Sequence, residues 1–297
     1  MYFLIIGHSV VDKINEKGRI VTKPGGIFYS VITFLAQITD DDKIFLCSSI
    51  DKKKQHLFEL AFEGVEKKYL YVVDSIPEVE LTIGSNSERK EIYSHPGSNL
   101  ILPFENLNRF AGILINMVTG FDISLSQIQK IRKKYKGLIY FDVHTLSRGI
   151  DDQMKREFRR IQEFDKWAEC INILQANESE LLTLSDHNEE TKIIEEMFLY
   201  GIEQIIITRA ENGASVYFSE GNEVTKYNVE ALQVKANNKV GCGDVFGATY
   251  FYNYIQNKNI LSAIEKANLY AGVSTTFSDI SEFRNMKRDA DEKFGKK

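Results

Sequence analysis

The sequence predicts an α/β fold: a three-layer αβα arrangement around a mostly parallel sheet, with a small β lid. Three observations carry that expectation. Strand-length apolar runs without polar alternation recur along the chain, as expected of strands buried on both faces. Helical patterns separate them, the order that gives parallel pairing through crossovers. The chain has 297 residues, 43% hydrophobic and 27% charged, enough for a large core without disulfide or metal staples.

Taken in order, Tyr2–Ile6 and Lys43–Ser48 read as strands, as do Ile113–Val118, Leu138–Asp142, Ile171–Ala176 and Ile205–Thr208. Phe28–Gln37 follows Pro24-Gly25-Gly26 and reads as a helix in spite of its β-branched residues. Gln55–Glu63, Ser124–Lys134, Asp152–Glu163, Glu178–Leu184 and Glu189–Tyr200 carry helical spacing. Two stretches depart from this rhythm. Residues 12–23 read as a hairpin turning near Lys17-Gly18. Residues 69–96 hold Tyr69–Val73, Glu78–Ile83 and Arg89–Tyr93, divided by Pro77 and by Ser85-Asn86-Ser87. These alternate apolar and polar side chains with no helix between them, the pattern of a half-solvated antiparallel sheet. Segments near 12–23 and 66–100 are therefore expected to form a lid within a single domain spanning 1–297; the alternative is an edge extension of the main sheet. Ala214–Phe218 and Thr225–Val229 suggest a further hairpin, and Val245–Gln256 and Leu261–Ser274 two helices. The charged segment 285–297 is expected to fray.

The charge balance narrows the function. With 37 basic and 42 acidic side chains the formal charge is −5, opposite to the balance of a non-specific nucleic-acid binder. The basic clusters at Lys52–Lys54 and Arg132–Lys136 read as solvated faces. Cys47, Cys170 and Cys242 are far apart and form no CxxC pair, so a reducing compartment is expected. The apolar start Met1–Ile6 has no basic flank and reads as a strand, and no run approaches the length of a membrane span. Cytoplasmic localisation, with neither membrane nor nucleic acid as partner, is the resulting expectation.

One constellation carries chemistry. In Val240-Gly241-Cys242-Gly243-Asp244-Val245-Phe246-Gly247-Ala248 two glycines bracket a small residue just before an amphipathic helix. Glycines allow a close backbone approach, and the amides and dipole of a helix start attract phosphate. Asp244, in the first turn, would reach the same point and could take a proton from an attacking hydroxyl. The plain alternative is a tight turn with a helix-start aspartate. A dinucleotide fingerprint does not fit, because the spacing is GxGxxxG and no strand with an acidic end follows. Neither a Walker A loop nor a GxSxG elbow occurs.

This loop resembles the Gly-Ala-Gly-Asp anion-hole motif of the ribokinase-like (PfkB) carbohydrate kinases, and four further landmarks stand in the right order. Gly7-His8-Ser9-Val10-Val11-Asp12 is similar to that family's early Gly-x-x-x-x-Asp, and Gly25-Gly26 to its Gly-Gly helix start. Asn177-Glu178-Ser179-Glu180 resembles its Asn-x-x-Glu, and the run from Thr208 to Gly213 its Thr-x-Gly-x-x-Gly turn. The resemblance spans nearly the whole chain as sparse landmarks. It implies an ATP-dependent kinase, with Mg²⁺ bridging the phosphates and a small hydroxyl acceptor such as a sugar or nucleoside. It implies Asp244 as base and Gly241, Cys242 and Gly243 as anion hole. Asp12, Gly25, Gly26 and Ser30 would meet the acceptor, joined by Asp142 and Arg148 from the family's Asp-x-Asn…Arg run. Asn177 and Glu180 would sit near the Mg²⁺, Thr208 and Gly213 on the nucleotide side, and Asn268 near the adenine. The structural alternative for Asn177 and Glu180 is a capping box, and for His144 and His95 an ordinary turn position.

Departures from the pattern bear on this. Asn238-Lys239-Val240 replaces the family's Asp-Thr-Thr, removing a carboxylate and placing Lys239 beside phosphate or solvent. Ser30 stands where an Asn is common, Ala210 replaces the first glycine of the turn, and Phe28 and Tyr29 stand where small residues are common. The aromatic pair keeps a nucleoside or vitamin-precursor kinase as an alternative; the altered run keeps a non-catalytic ligand-binding protein. The lid is a candidate homodimer surface.

Overall fold

Successive side chains of a strand point to opposite faces, and the first strand, β1 (Tyr2–Ile6), shows the consequence. Phe3 and Ile5 enter one core, Leu4 and Ile6 another. The computed structural model describes residues 1–16, 19–82, 90–220 and 223–293. After β1 come β2 (Ser9–Glu16), β3 (Arg19–Gly26), helix α1 (Ile27–Leu35), β4 (Lys43–Asp51), α2 (Glu59–Phe62), β5 (Glu66–Val73), β6 (Glu78–Thr82) and β7 (Lys90–His95). Next are β8 (Gly112–Asn116), α3 (Leu125–Lys134), β9 (Leu138–Asp142), β10 (Arg148–Ile150), β11 (Arg156–Phe158), α4 (Phe164–Ala168), β12 (Ile173–Asn177), α5 (Glu178–Leu181) and α6 (Glu190–Leu199). The last are β13 (Gln204–Thr208), β14 (Ala214–Glu220), β15 (Glu223–Val229), α7 (Cys242–Asn257), α8 (Ile260–Ser274) and α9 (Met286–Lys293).

Among the described residues the main sheet has the order β15-β14-β13-β12-β9-β8-β1-β4-β5, parallel from β13 to β5 and antiparallel at β14 and β15. One face is covered by α1, α7 and α8, the other by α3, α4 and α6. That is the expected three-layer architecture. The layers are tied by aromatic contacts: Phe3 on β1 meets Phe34 of α1 edge-on, with ring centroids 5.0 Å apart, and Phe34 meets Tyr252 of α7 at 5.3 Å. Each such pair contributes about 1 kcal/mol beyond its area, and together they fix α7 against the centre of the sheet.

The lid is a second sheet, β3-β2-β6-β7, in which β2 and β6 run parallel and the other pairs antiparallel. It differs from the expectation in one strand. The segment Tyr69–Val73 belongs to β5, which pairs in parallel with β4 at the edge of the main sheet. Its partly solvated side chains, with Val72 and Val73 exposed, suit an open edge as well as a lid. The lid's apolar face packs Val10, Ile14, Val79, Leu81 and Tyr93 against Val118.

Other expectations need correction. Asp152–Glu163 is no helix: β10 and β11 pair as a hairpin, and the lid takes up the backbone of its tip. Tyr93 N donates to Met154 O at 3.1 Å, and Ile92 bridges Lys155. Helix formers there are overridden by strand pairing from elsewhere in the chain. Gln55–Glu63 divides into a 3₁₀ turn over Gln55–Leu57 and the short α2, and the helix expected over Glu178–Leu184 ends at Leu181. The charged tail is anchored, since α9 buries Met286 and Ala290 in the core beneath α8. The expected turn at Lys17-Gly18, the divider Ser85-Asn86-Ser87, the strand ends Ile83 and Arg89, and residues 294–297 lie outside the described residues.

Two glycines with positive φ separate backbone strain from crowding. At Gly201 (φ 93°) an added Cβ would meet nothing within 4 Å, whereas at Gly213 (φ 86°) it would lie 1.9 Å from the Val229 carbonyl oxygen. Gly201→Ala should therefore cost roughly 1 kcal/mol, for the left-handed backbone alone. Gly213→Ala should cost about 3 kcal/mol or more, because β15 must move. Denaturant titration of the two variants checks this difference; equal losses would contradict it.

Candidate active site

In open α/β sheets, ligands gather outside the carboxyl ends of the parallel strands. Here Asn116 ends β8, Asp142 ends β9 and Asn177 ends β12, and α7 begins above them. Gly241 is the N-cap of α7 with φ 80° and ψ −2°, without a side-chain cap. A Cβ there would lie 2.4 Å from the Tyr29 ring, so only glycine lets the turn close on that aromatic. The first helical bond runs from Val245 N to Gly241 O at 2.9 Å, so the amides of 243 and 244 lie ahead of it at the helix tip.

Asp244 is buried in the first turn. Asn116 Nδ2 donates to its Oδ1 at 2.5 Å and to Ser30 Oγ at 3.4 Å. Asn116 was not singled out from the sequence: it closes an apolar strand with no flanking motif. Its own Oδ1 has no partner among the described residues. Gln175, also missed, links the same turn to the sheet. Its Nε2 donates to Asp142 Oδ2 at 2.9 Å and to Gly243 O at 3.2 Å, while Tyr140 donates its hydroxyl to Gln175 Oε1.

The acids are crowded. Burial pushes the Asp142 carboxyl well above its usual range, reinforced by the charges of Glu180 and Asp244. Burial likewise lifts Glu180 to about 7, against the opposing pull of the Asn177 amide and of Arg148. Asn177 and Glu180 form the capping box: Glu180 N donates to Asn177 Oδ1 at 2.9 Å, and Asn177 N to Glu180 Oε2 at 2.8 Å. Among the described residues no three His, Cys, Asp or Glu side chains are set to cage a metal ion. Buried carboxylates of this kind, too few to cage a cation themselves, suit one that keeps its own water ligands.

The lid supplies the opposite wall. Asp12 on β2 is buried, and a Cβ at Gly25 would lie 2.4 Å from its carboxylate atoms, so the glycine backbone seats that side chain. Gly26 has φ 62° and caps α1. Together with Tyr29, Glu91, Tyr93, Lys239 and Val240, a cavity of about 170 Å³ brings Asp12, Gly26, Gly241, Gly243 and Asp244 into one place. His144, at φ 38°, also lines it. Lys239 is 69% exposed, with Nζ 3.7 Å from Glu211.

The remaining expected residues lie around or away from the cavity. Ser30 stands behind Asn116, and Phe28 is in the core against Phe58. Arg148 stacks on Phe158 at 4.4 Å. Thr208 pairs with Asn177 and Ala214 in the sheet, and Gly213 forms the turn under Val229. Cys242 begins α7 and is half-buried. Asn268 donates to Glu230 O at 2.8 Å, and Ala210 adopts φ 47°, keeping the positive φ without the glycine. His95 pairs with Glu78 in the lid. Among the described residues no helix is long and apolar enough to cross a membrane.

The family model for pfkB family carbohydrate kinases matches residues 6–282. A deoxyribokinase of Salmonella typhi is 34% identical over 76 residues, which is 26% of this chain and 24% of that enzyme, so the match spans about a quarter of the curated relative. A pyrophosphate-dependent kinase of the ribokinase family, complexed with a pyrophosphate analogue and myo-inositol, superposes with TM-score 0.76 at 15% identity, covering 97% of this chain and 99% of that one. Arabidopsis thaliana ribokinase, complexed with ribose and ATP, gives TM-score 0.73 at 14% identity, covering 98% of each chain.

The crowded acids set a pH signature. A carboxyl whose folded pKa is raised binds more protons folded than unfolded, so its contribution to stability is greatest below the unfolded pKa and falls as pH rises through the folded one. For Glu180 that window runs from the ordinary glutamate value of 4.5 to about 7. The melting temperature should fall between pH 5 and 7.5, and Glu180→Gln, which keeps the cap acceptor, should flatten that fall. A variant with the wild-type pH slope would contradict the electrostatic reading.

Proposed function

Because the chain belongs to the pfkB family of carbohydrate kinases, we propose that it transfers the γ-phosphoryl group of ATP to a hydroxyl of a sugar-like small molecule, with Asp244 as general base. The observation that carries this reading is that the α7 tip, Asp244 and the lid carboxylate Asp12 line one cavity. The acceptor hydroxyl lies between Asp12 and Asp244. As its oxygen attacks the γ-phosphorus, its proton passes to the Asp244 carboxylate and ADP departs. Asn116 holds that carboxylate in place and favours its ionised form through a donated hydrogen bond. Of the expected anion hole, Gly241, Cys242 and Gly243, the Cys242 amide is turned to Lys239 O at 3.5 Å; the Gly243 amide, with that of Asp244 beside it and the dipole of α7, meets the charge on the transferred oxygens. Lys239, which lines the cavity beside this turn, faces the donor phosphates and supplies positive charge where the family's aspartate would have helped to hold a cation.

Mg²⁺, when bound with the donor, neutralises phosphate charge. Glu180 and Asp142, as buried carboxylates at the strand ends, would hold its waters. Thr208 and Gly213 sit on the nucleotide side of that arrangement, with Asn268 at its outer edge. A lid over the acceptor excludes water, which suppresses hydrolysis of the donor.

The cavity favours a small acceptor. Its volume of about 170 Å³ is below the roughly 300–1,000 Å³ of pockets for drug-sized ligands. Phe28, one of the two aromatics that kept a nucleoside in view, is fully buried in the core. The ribose and myo-inositol in the complexes of the two similar structures are polyols of the size this reading requires.

Asp244→Asn should lower kcat by about 10²–10⁴-fold while the dissociation constant for ATP changes little. Asn116→Ala should lower kcat less and shift the acidic limb of its pH profile upward, because the base loses the hydrogen bond favouring its ionised form. Steady-state kinetics with calorimetric ATP binding reads both; retention of turnover in Asp244→Asn removes the base assignment.

A further inference from the structure

Among the described lid residues that line the cavity, Asp12 and Glu91 are the charged ones, set among Val10, Gly26, Val79 and Tyr93. Register places Asp12 opposite Val79, and Val79 opposite Tyr93. Residues paired across a sheet share a face, and so do residues two apart along a strand. Asp12 therefore shares its face with Val10, Ile14, Val79, Leu81, Tyr93 and Glu91, and with Lys23, its partner on β3, which is not part of the cavity lining. Glu91 lies two strands from Asp12 and two residues along, which separates their Cα atoms by roughly 12 Å. Side chains reaching inward from that spacing bracket an object about the size of one sugar or cyclitol ring. Glu91 is 6% exposed and lines the same cavity as Asp12 and Asp244.

A buried carboxylate is costly unless its charge is offset. Arg156 of β11 provides the offset. Its side chain is 1% exposed, and its Nε stands 3.8 Å from Glu91 Oε2. That separation is a charge contact longer than a hydrogen bond, and Nε has no hydrogen-bond partner among the described residues. The guanidinium is held independently. Nη1 donates to Thr145 O at 3.3 Å, Nη2 donates to Thr119 O, and the group stacks over the Tyr93 ring at 4.1 Å. Arg156 thus stands behind Glu91 as a buried countercharge, held by loops that follow β8 and β9. The cavity is polarised accordingly. Lys239 and the helix tip lie at one end, and Asp12 and Glu91 project from the lid.

We propose that Glu91 is a specificity-determining residue that accepts hydrogen bonds from hydroxyl or ammonium groups of the acceptor, and that with Asp12 it selects neutral or cationic polyols over sugar acids and phosphorylated sugars. This rests on the kinase reading. An anionic group entering between Asp12 and Glu91 meets like charge in a poorly solvated cleft, where discrimination against the wrong partner is strong.

The test is a set of kcat/KM values for the full chain with Mg²⁺ and ATP, or pyrophosphate where ATP gives no turnover. The acceptors are D-ribose, myo-inositol and D-glucosamine against D-gluconate and ribose 5-phosphate. The wild type should prefer the neutral or cationic members by about tenfold or more. Glu91→Gln should raise KM for the preferred acceptor about tenfold, leave the donor KM unchanged, and narrow the gap to the anionic members. Glu91→Asp keeps the charge facing Arg156 and should raise KM while retaining the charge preference, so loss of folding in one variant does not end the test. An anionic acceptor preferred by the wild type, or a charge preference unaltered in Glu91→Gln, overturns the proposal. If no acceptor is phosphorylated, the kinase reading fails separately. The charge preference is then read from melting-temperature shifts with the same compounds, where stabilisation by the anionic members over the neutral ones overturns it.

Discussion

The hydrogen bond from Asn116 to Asp244 joins the parallel sheet to the helix that caps it, and the rest of the site depends on it. Asn116 is fixed by the β8 ladder at the centre of the sheet, while Asp244 rides on the first turn of α7. One donated N–H therefore sets where the carboxylate stands relative to both the helix tip and the strand ends. Gly241 makes the approach possible on the other side by letting the turn close over Tyr29. Gln175 repeats the device one strand along, tying Asp142 to the carbonyl of Gly243. The two side-chain links are buried and the one to Gly243 is partly so, and together they hold the tip of α7 to the strands beneath it.

Electrostatics explain why so much acid is tolerated there. Asp142 and Glu180 are driven toward protonation by burial and by neighbouring carboxylates, with Arg148 a partial counterweight at Glu180. A folded protein keeps such a cluster at a cost in stability, and sites that bind ligands are where that cost is usually found. A donor carrying a divalent cation would discharge it. On the lid side, Glu91 faces a buried guanidinium, and Asp12 sits against the backbone of Gly25. The two halves of the cleft thus solve the same problem of buried charge with different means.

Much of this was legible in the sequence, for identifiable reasons. The main strands announce themselves because parallel strands are buried on both faces, and the Gly-Cys-Gly-Asp turn stands out because its residues are needed by backbone geometry. Asn116 was hidden because its function comes from what lies across the fold, and nothing in Ile113–Val118 marks it. Glu91 was hidden because a glutamate in an alternating strand reads as solvent-facing; only the register of the lid turns it inward. The segment Asp152–Glu163 misled because its residues favour helix locally, while the strand pairing of Arg156 and the contact of Met154 with β7 are decided at long range. Local pattern located the helix tip and the strand ends, and tertiary contacts chose the residues that position them.

The central claim is that a phosphate is handed over where the α7 tip, Asp244 and the lid meet. A crystal structure with Mg²⁺ and an ATP analogue carrying a non-hydrolysable β–γ bridge tests it most directly. The account predicts the terminal phosphate within hydrogen-bond distance of the amides of 243 and 244, with Asp244 facing it across the acceptor space. A terminal phosphate bound away from that turn, or an Asp244 carboxylate rotated out of the cleft, would contradict it.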